Sequence, residues 1–523
     1  MIRLKKTLNL FLVTLMMFSS FFVYIPMAVL ALDDEEQYEK ISGLIGIPSD
    51  FVKAGNNIFY KTSTDEGITE LHKTDGTDSG TLLLKTFGGA DDIYIYSNLF
   101  ALGDNVYFTG YTPETGSELW ISDGTVEGTR LLIDNYPGSS DGAYSPLYVF
   151  NNKLYFIGID EVNGMELWIS DGTAEGTNLL KDANEGTSGG DIRFINVLCG
   201  YLYYVYINET NNAIQLWKTD GTIVGTTMVK ENFGYPDEEY SVVYNDELYF
   251  KAETDEEGYE LWKTDGTAEG TFMIKDIYEG SESSNPTDLV VLNGKLYFTA
   301  ETIISYDEEE EEYIDENRVF VTNGTEEGTV ILEEFVDIEV YSISEAVALN
   351  WVMYFTHDDN SLYGDELWRS DGTAAGTYIV KDIVPGDYGS EPWKKKVIGD
   401  KLYFIVGNEL QNEGEYFTEL WVSDGTEAGT KMLKSHLGFG MGYLDFYNFD
   451  DVIYYQQANN YVDVGWGLLW AADLELWKYT PTSEVSSYTV TFKDYNGMLL
   501  KTETVEEGSN ATAPANPTRT GYS

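Results

Sequence analysis

The residue types that most often carry out catalysis are scarce here. Among 523 residues there are three histidines, His72, His357 and His436, and one cysteine, Cys199. The histidines fall in different stretches, and none has a Ser or Cys placed in a pattern that would make it the base of an activated nucleophile. Cys199, in Val197-Leu198-Cys199, reads as a small core residue, and a lone cysteine permits no internal disulfide. Beyond residue 31 the arginines are Arg130, Arg193, Arg318, Arg369 and Arg519, too scattered to form an anion-reading cluster. Carboxylates are the opposite case. There are 89 Asp+Glu against 31 Lys+Arg, a formal charge of −58. A glycosidase needs two carboxylates at a set separation, and spacing singles out no pair from so many. The acidic turns at Asp160-Glu161 and Asp255-Glu256 hold oxygen ligands that would suit Ca²⁺. They lack a D-x-D-x-D-G loop and read as solvated turns, so calcium is kept open and no cofactor is expected.

The charge excludes partners. Phosphate backbones need clustered Lys and Arg, and this field repels them, so nucleic acid is not expected to bind. High charge can also accompany disorder, but 40 Tyr, 25 Phe and 11 Trp are far more than a chain without a core would carry.

One pattern organises the rest: Glu-Leu-Trp-x-Ser/Thr-Asp-Gly-Thr-x-x-Gly-Thr. Its clearest copies contain Trp120, Asp123 and Gly124; Trp168, Asp171 and Gly172; Trp217, Asp220 and Gly221; Trp262, Asp265 and Gly266; Trp368, Asp371 and Gly372; and Trp421, Asp424 and Gly425. Degenerate copies have His72 for Trp, and Phe320 and Asn323 for Trp and Asp. A ninth start at Glu475-Leu476-Trp477 lacks the Asp-Gly-Thr. The tryptophan positions recur every 45 to 58 residues, the mark of a repeat architecture. An apolar-aromatic triplet such as Leu154-Tyr155-Phe156 or Leu296-Tyr297-Phe298 precedes each copy, and turn signals such as Asn293-Gly294 and Asp265-Gly266 divide a unit into four short strands.

Adjacent strand residues point to opposite faces. Leu and Trp are neighbours on the third strand, and Tyr lies between Leu and Phe on the second, so each sheet is apolar on both faces. The fold class is therefore all-β, a β-propeller of eight to nine four-stranded blades; a β-solenoid is the alternative. The ninth unit has three strands and no fourth. Residues near 37–42 are expected to supply it by pairing with Leu474–Lys478, since an open third strand would leave an unpaired edge. The unit around Phe320 is the one expected to stay outside if the ring holds eight. The Asp-Gly-Thr corners read as structural, because a corner must be built in every blade whereas a catalytic site is usually singular.

These repeats resemble the ELWxxDGT repeat family of exported bacterial proteins over residues 40–478, and more distantly a Tricorn/TolB-type blade. The resemblance implies extracellular propellers with no established chemistry. A sialidase-like propeller would need the arginine cluster that is missing. The tail, from Tyr488-Thr489-Val490-Thr491-Phe492 through Leu500–Val505 to Pro514–Tyr522, resembles a Listeria–Bacteroides repeat, a β-grasp-like module of Gram-positive surface proteins. It lacks the closing Gly-Trp stretch and is read as a truncated module.

Residues 1–31 read as a signal peptide: Arg3, Lys5 and Lys6, then an apolar run from Leu8, then Val29-Leu30-Ala31 before a cut. The expected organisation is signal peptide 1–31, propeller 32–480, linker 481–487 and partial repeat 488–523. The expected protein is a monomer, extracellular or in the cell wall, with no membrane span after cleavage. The expected function is a non-catalytic propeller that binds a protein or glycan at the cell surface; a polysaccharide-acting glycosidase or lyase is the alternative. The irregular loops Thr302–Asn317, Gly407–Thr418 and Gln456–Asp473 are the candidate ligand loops, with Tyr461, Trp466 and Trp470 as aromatics that could stack on sugar rings.

Overall fold

The computed structural model describes residues 38–506 except 42–46, 64–68, 88–94, 96, 308–311, 337, 359–362, 387–388, 410–415, 440–444, 451, 464–468, 482–486 and 494–498. The signal peptide expected at 1–31, Trp466 and the tail beyond 506 lie outside the described residues.

Nine four-stranded antiparallel sheets follow one another. The fifth is typical: Tyr235–Tyr244, Glu247–Thr254, Gly258–Thr264 and Phe272–Lys275 pair in chain order. From blade one to blade eight the first strand of each sheet abuts the first strand of the next, so these strands line the axis, and blade nine meets blades eight and one through its second and third strands. Blade one begins at Ile47–Ala54, and blade nine is Phe446–Phe449, Val452–Asp463 and Leu469–Tyr479. Its outer strand is Tyr38–Ile41, from the other end of the described chain. The register is Tyr38↔Tyr479, Glu39↔Lys478, Lys40↔Trp477 and Ile41↔Leu476. The ring is closed as the strand inventory required, and the solenoid alternative falls. Of the two counts left open, nine blades hold, and the eight-blade alternative with the unit near Phe320 outside the ring falls. Phe320 is 3% exposed and stacks on Phe298 at 5.5 Å in blade six. The hydrophobic pair did not need the tryptophan, so all nine units enter the ring.

The layers between blades follow the alternation along each strand. Leu119 packs with Leu154, Phe156 and Trp168 of the following blade, while its neighbour Trp120 faces the preceding blade among Phe59, Leu71 and Leu84. The third-strand tryptophans Trp120, Trp168, Trp217, Trp262 and Trp421 are all buried. Where His72 replaces Trp, it is 3% exposed, stacks on Tyr60 at 5.1 Å and bonds Thr62 Oγ1 and Glu70 Oε2 at 3.1 Å. Cys199 corrects a reading: it is exposed, in the turn between the first two strands of blade four, at φ +50°.

The Asp-Gly-Thr corner is one repeated device. Asp265 Oδ1 accepts the Thr267 N–H at 2.8 Å and its hydroxyl at 2.7 Å. The Ser or Thr before the Asp bonds the last Thr of the motif, as Thr264 does Thr271 at 2.7 Å. Gly266 takes the left-handed region at φ +87°, while Asn293-Gly294 forms a two-residue hairpin with both φ positive. Strands Ser487–Lys493 and Leu499–Glu506 form a separate two-stranded sheet.

Candidate functional site

The innermost strands carry a feature the sequence reading missed. Most take a bulge at the same step, where pairing with the second strand skips: between Ser49 and Val52, Thr287 and Val290, Ser344 and Val347, and Trp393 and Lys396. A bulge leaves one residue unpaired and turns its side chain out of the ladder. In these four blades that step holds Asp50, Asp288, Glu345 and Lys394, all at φ between 49° and 56°. Non-glycine residues rarely hold that conformation, and a recurring set of them at one level marks a place where the fold maintains strain. The available signal was the repeated polar residue soon after a proline, in Pro48-Ser49-Asp50, Pro286-Thr287-Asp288 and Pro392-Trp393-Lys394.

Two cavities open along the inner strands beside these bulges. One, of about 540 Å³, is lined by Tyr240, Ser241, Thr287, Asp288, Ser344 and Glu345. The other, of about 430 Å³, is lined by Glu345, Thr356, Asp365, Glu391, Trp393 and Lys394. Glu345 is common to both. Volumes of this size suit a small ligand or a few residues of a peptide.

Lys395 organises the wall between them. Its side chain is fully buried, and its ammonium donates to Thr356 Oγ1 at 2.7 Å, the Pro392 carbonyl at 2.8 Å and Glu345 Oε2 at 3.3 Å. Three donors meet three acceptors, so the amine is satisfied. Burial lowers its pKa to about 8 against the pull of Glu345, Asp288 and Asp365. Asp288 accepts the Glu345 N–H at 2.8 Å and the Thr287 hydroxyl at 3.0 Å, which ties blade six to blade seven. Burial raises its pKa, as it does that of Asp365, where Asp358 and Glu391 add repulsion. The cluster can hold an ammonium or guanidinium group, and it contains ionisable groups shifted toward neutrality, the condition for moving protons.

The glutamate that opens the repeat motif positions this cluster. Glu366 is buried and accepts the Ile383 and Val384 N–H groups at 3.1 and 2.9 Å and the Ser390 hydroxyl at 2.6 Å. It thereby fixes the loop that delivers Glu391, Pro392 and Trp393. Glu260 does the same for Ser284, just before Pro286 and Asp288. Burial pushes Glu118 up to about 8 and Glu166, Glu260 and Glu366 up to about 7.

The residues singled out from the sequence fall elsewhere. Asp160 caps its own turn, accepting the Val162 N–H at 2.8 Å and the Asn163 N–H at 2.6 Å. Glu161, Asp255 and Glu256 lie in the turns between the second and third strands of their blades. Among the described residues no group of three His, Cys, Asp or Glu is placed to hold a metal ion. Tyr461 and Trp470 lie in the long hairpin of blade nine. The candidate ligand loops are extended hairpins between the second and third strands. That of blade six pairs as far as Asp307↔Glu312, whereas blade five stops at Thr254↔Gly258.

No family model matches the chain, and no curated protein matches it. Solved structures do. A puromycin-hydrolyzing peptidase of Mycobacterium tuberculosis aligns at 12% identity and TM-score 0.35, over 81% of this chain and 60% of that one. Oligopeptidase B from Leishmania major aligns at 9% identity and TM-score 0.36, over 80% and 53%. The β-propeller domain of the Trilobed protease from Pyrococcus furiosus aligns at 11% identity and TM-score 0.31, over 75% and 98%. The chain thus spans about 60% of the length of the M. tuberculosis peptidase. These neighbours are named as peptidases, and with that finding the expectation of a non-catalytic adhesion propeller, and of a chain that is no enzyme, is corrected. The likeness is one of fold and brings over no catalytic residue.

Proposed function

We propose that the ring is a peptide-handling propeller that takes a basic polypeptide into its channel for processing. The observation that carries this reading is the pair of adjoining cavities joined at Glu345, with Asp288, Asp365 and Glu391 beside it. Lys395 is saturated by its three acceptors, and Lys394 is paired with Asp445 at 3.4 Å. The carboxylates therefore set the sign that an incoming side chain meets, and a lysine, an arginine or a peptide amino terminus complements it. The chain's charge of −58 steers the same ligands toward it. The secretion signal read at 1–31 supports placing this activity outside the cell.

The test is a panel of fluorescent peptides of equal length, rich in Lys, in Glu or in Ser, measured by anisotropy with mass spectrometry of the same mixtures for cleavage. The expected result is saturable binding of the Lys peptide alone, weakened by salt. Equal binding of all three, or preference for the Glu peptide, overturns the reading.

A further inference from the structure

The opposite end of the channel has a different chemistry. At the register just before the turn to the second strand, six consecutive blades place Val149, Val197, Val243, Val291, Ala348 and Val397 on the innermost strand. Val243 and Val397 are each 40% exposed. Val149, Val197 and Val291 are half-buried against the blade cores, so the apolar surface left in water at this level is that of Val243, Ala348 and Val397.

Trp351 stands at the same end. It occupies the second position of the blade-seven turn at φ +66°, where the matching turns hold Asn152, Gly200, Asp246 and Gly294. Those residues tolerate positive φ, whereas a bulky aromatic there is strained. Trp351 is also 77% exposed, so neither packing nor backbone preference accounts for it. A residue that costs stability on both counts points to use as a contact.

We propose that this turn-side end is an apolar subsite, formed by Val243, Ala348, Val397 and Trp351, which takes the apolar side chains of the same polypeptide whose basic group is held near Glu345. The inference rests on the reading above. Glu345 and Ala348 are three residues apart on one strand, about 10 Å, so an extended peptide spans both levels in about three residues. The preferred ligand is a peptide in which apolar residues lie about three positions from basic ones.

The test compares two labelled octapeptides. Each begins with a run of lysines; one ends in a run of serines and the other in an equal run of leucines. Both are titrated on the native protein, on a Val243→Asn/Val397→Asn variant and on Trp351→Gly. The lysine–leucine peptide should bind the native protein roughly tenfold tighter than the lysine–serine peptide, the equivalent of burying a few methylene groups. Both variants should shrink that gain while leaving the lysine–serine peptide unchanged, and Trp351→Gly should melt no lower than the native protein. Equal binding of the two peptides, or a gain that survives in both variants, overturns the subsite while the basic-peptide reading stands. Failure of both peptides to bind removes the two together.

Discussion

The hydroxyl of Tyr297, in blade six, lies 2.7 Å from where a β-carbon on Gly372 of blade seven would stand. The aromatic of the second-strand triplet thus reaches the Asp-Gly turn of the next blade. Gly372 is at φ +90°, so two requirements exclude a side chain there. Gly372→Ala should destabilise the protein by about 2–5 kcal/mol, the sum of left-handed strain and overpacking. Gly138→Ala, at φ +115° with nothing within 4 Å, should cost only the strain, about 1–2 kcal/mol. Tyr297→Phe should recover part of the Gly372→Ala loss in a double-mutant cycle. Equal denaturant midpoints for the two alanine variants would show that the contact carries no energy.

Closure by the outer strand of blade nine is the second expectation. Ile41 is 1% exposed and pairs with Leu476. Ile41→Ala should cost about 2–5 kcal/mol as a buried large-to-small change. Deleting residues 32–43 should in addition expose the edge of Leu469–Tyr479 and promote aggregation. A deletion variant that stays monodisperse with an unchanged melting temperature contradicts closure.

The tryptophan layer gives a third. Trp262 is 8% exposed and faces Phe233 and Phe250. Trp262→Ala should cost about 3–5 kcal/mol, read by chemical denaturation. A shift near zero would make the residue a surface platform.

Stability should fall as pH rises. Burial raises Glu260 from 4.5 to about 7 and Glu118 to about 8. The native state therefore holds protons the unfolded chain has released, and its stability is greatest below about pH 4.5 for these groups and declines as pH passes 7 to 8. Melting temperature should drop between pH 5 and 8.5, and Glu260→Gln should make the slope shallower. A melting temperature that climbs over that range would reverse the sign.

The fold was legible because it depends on strict alternation. Leu119 and Trp120 differ by one residue and serve two different layers, so the two-faced sheet, the blades and the pairing of Tyr38–Ile41 followed from the order of residue types. The channel site was not legible, because a bulge shifts the register without changing composition. Asp288 and Glu345 look like any of the 89 acids until pairing shows them on the unpaired step. The buried role of Glu366 was hidden as well, since its partners Ile383, Val384 and Ser390 offer two backbone N–H groups and a hydroxyl from a loop with no motif. Cys199 misled because Val197-Leu198 continues a strand that ends one residue before it.

The central claim is that the carboxylates at the inner bulges receive a basic polypeptide. Its most direct measurement is the affinity of a Lys-rich peptide for the native protein against Glu345→Gln and Asp288→Asn, at two salt concentrations, with melting curves confirming that each variant is folded. The account predicts at least a roughly tenfold loss of affinity in a folded variant and a weaker salt dependence than the native protein shows. Unchanged affinity and salt dependence in both folded variants would contradict it.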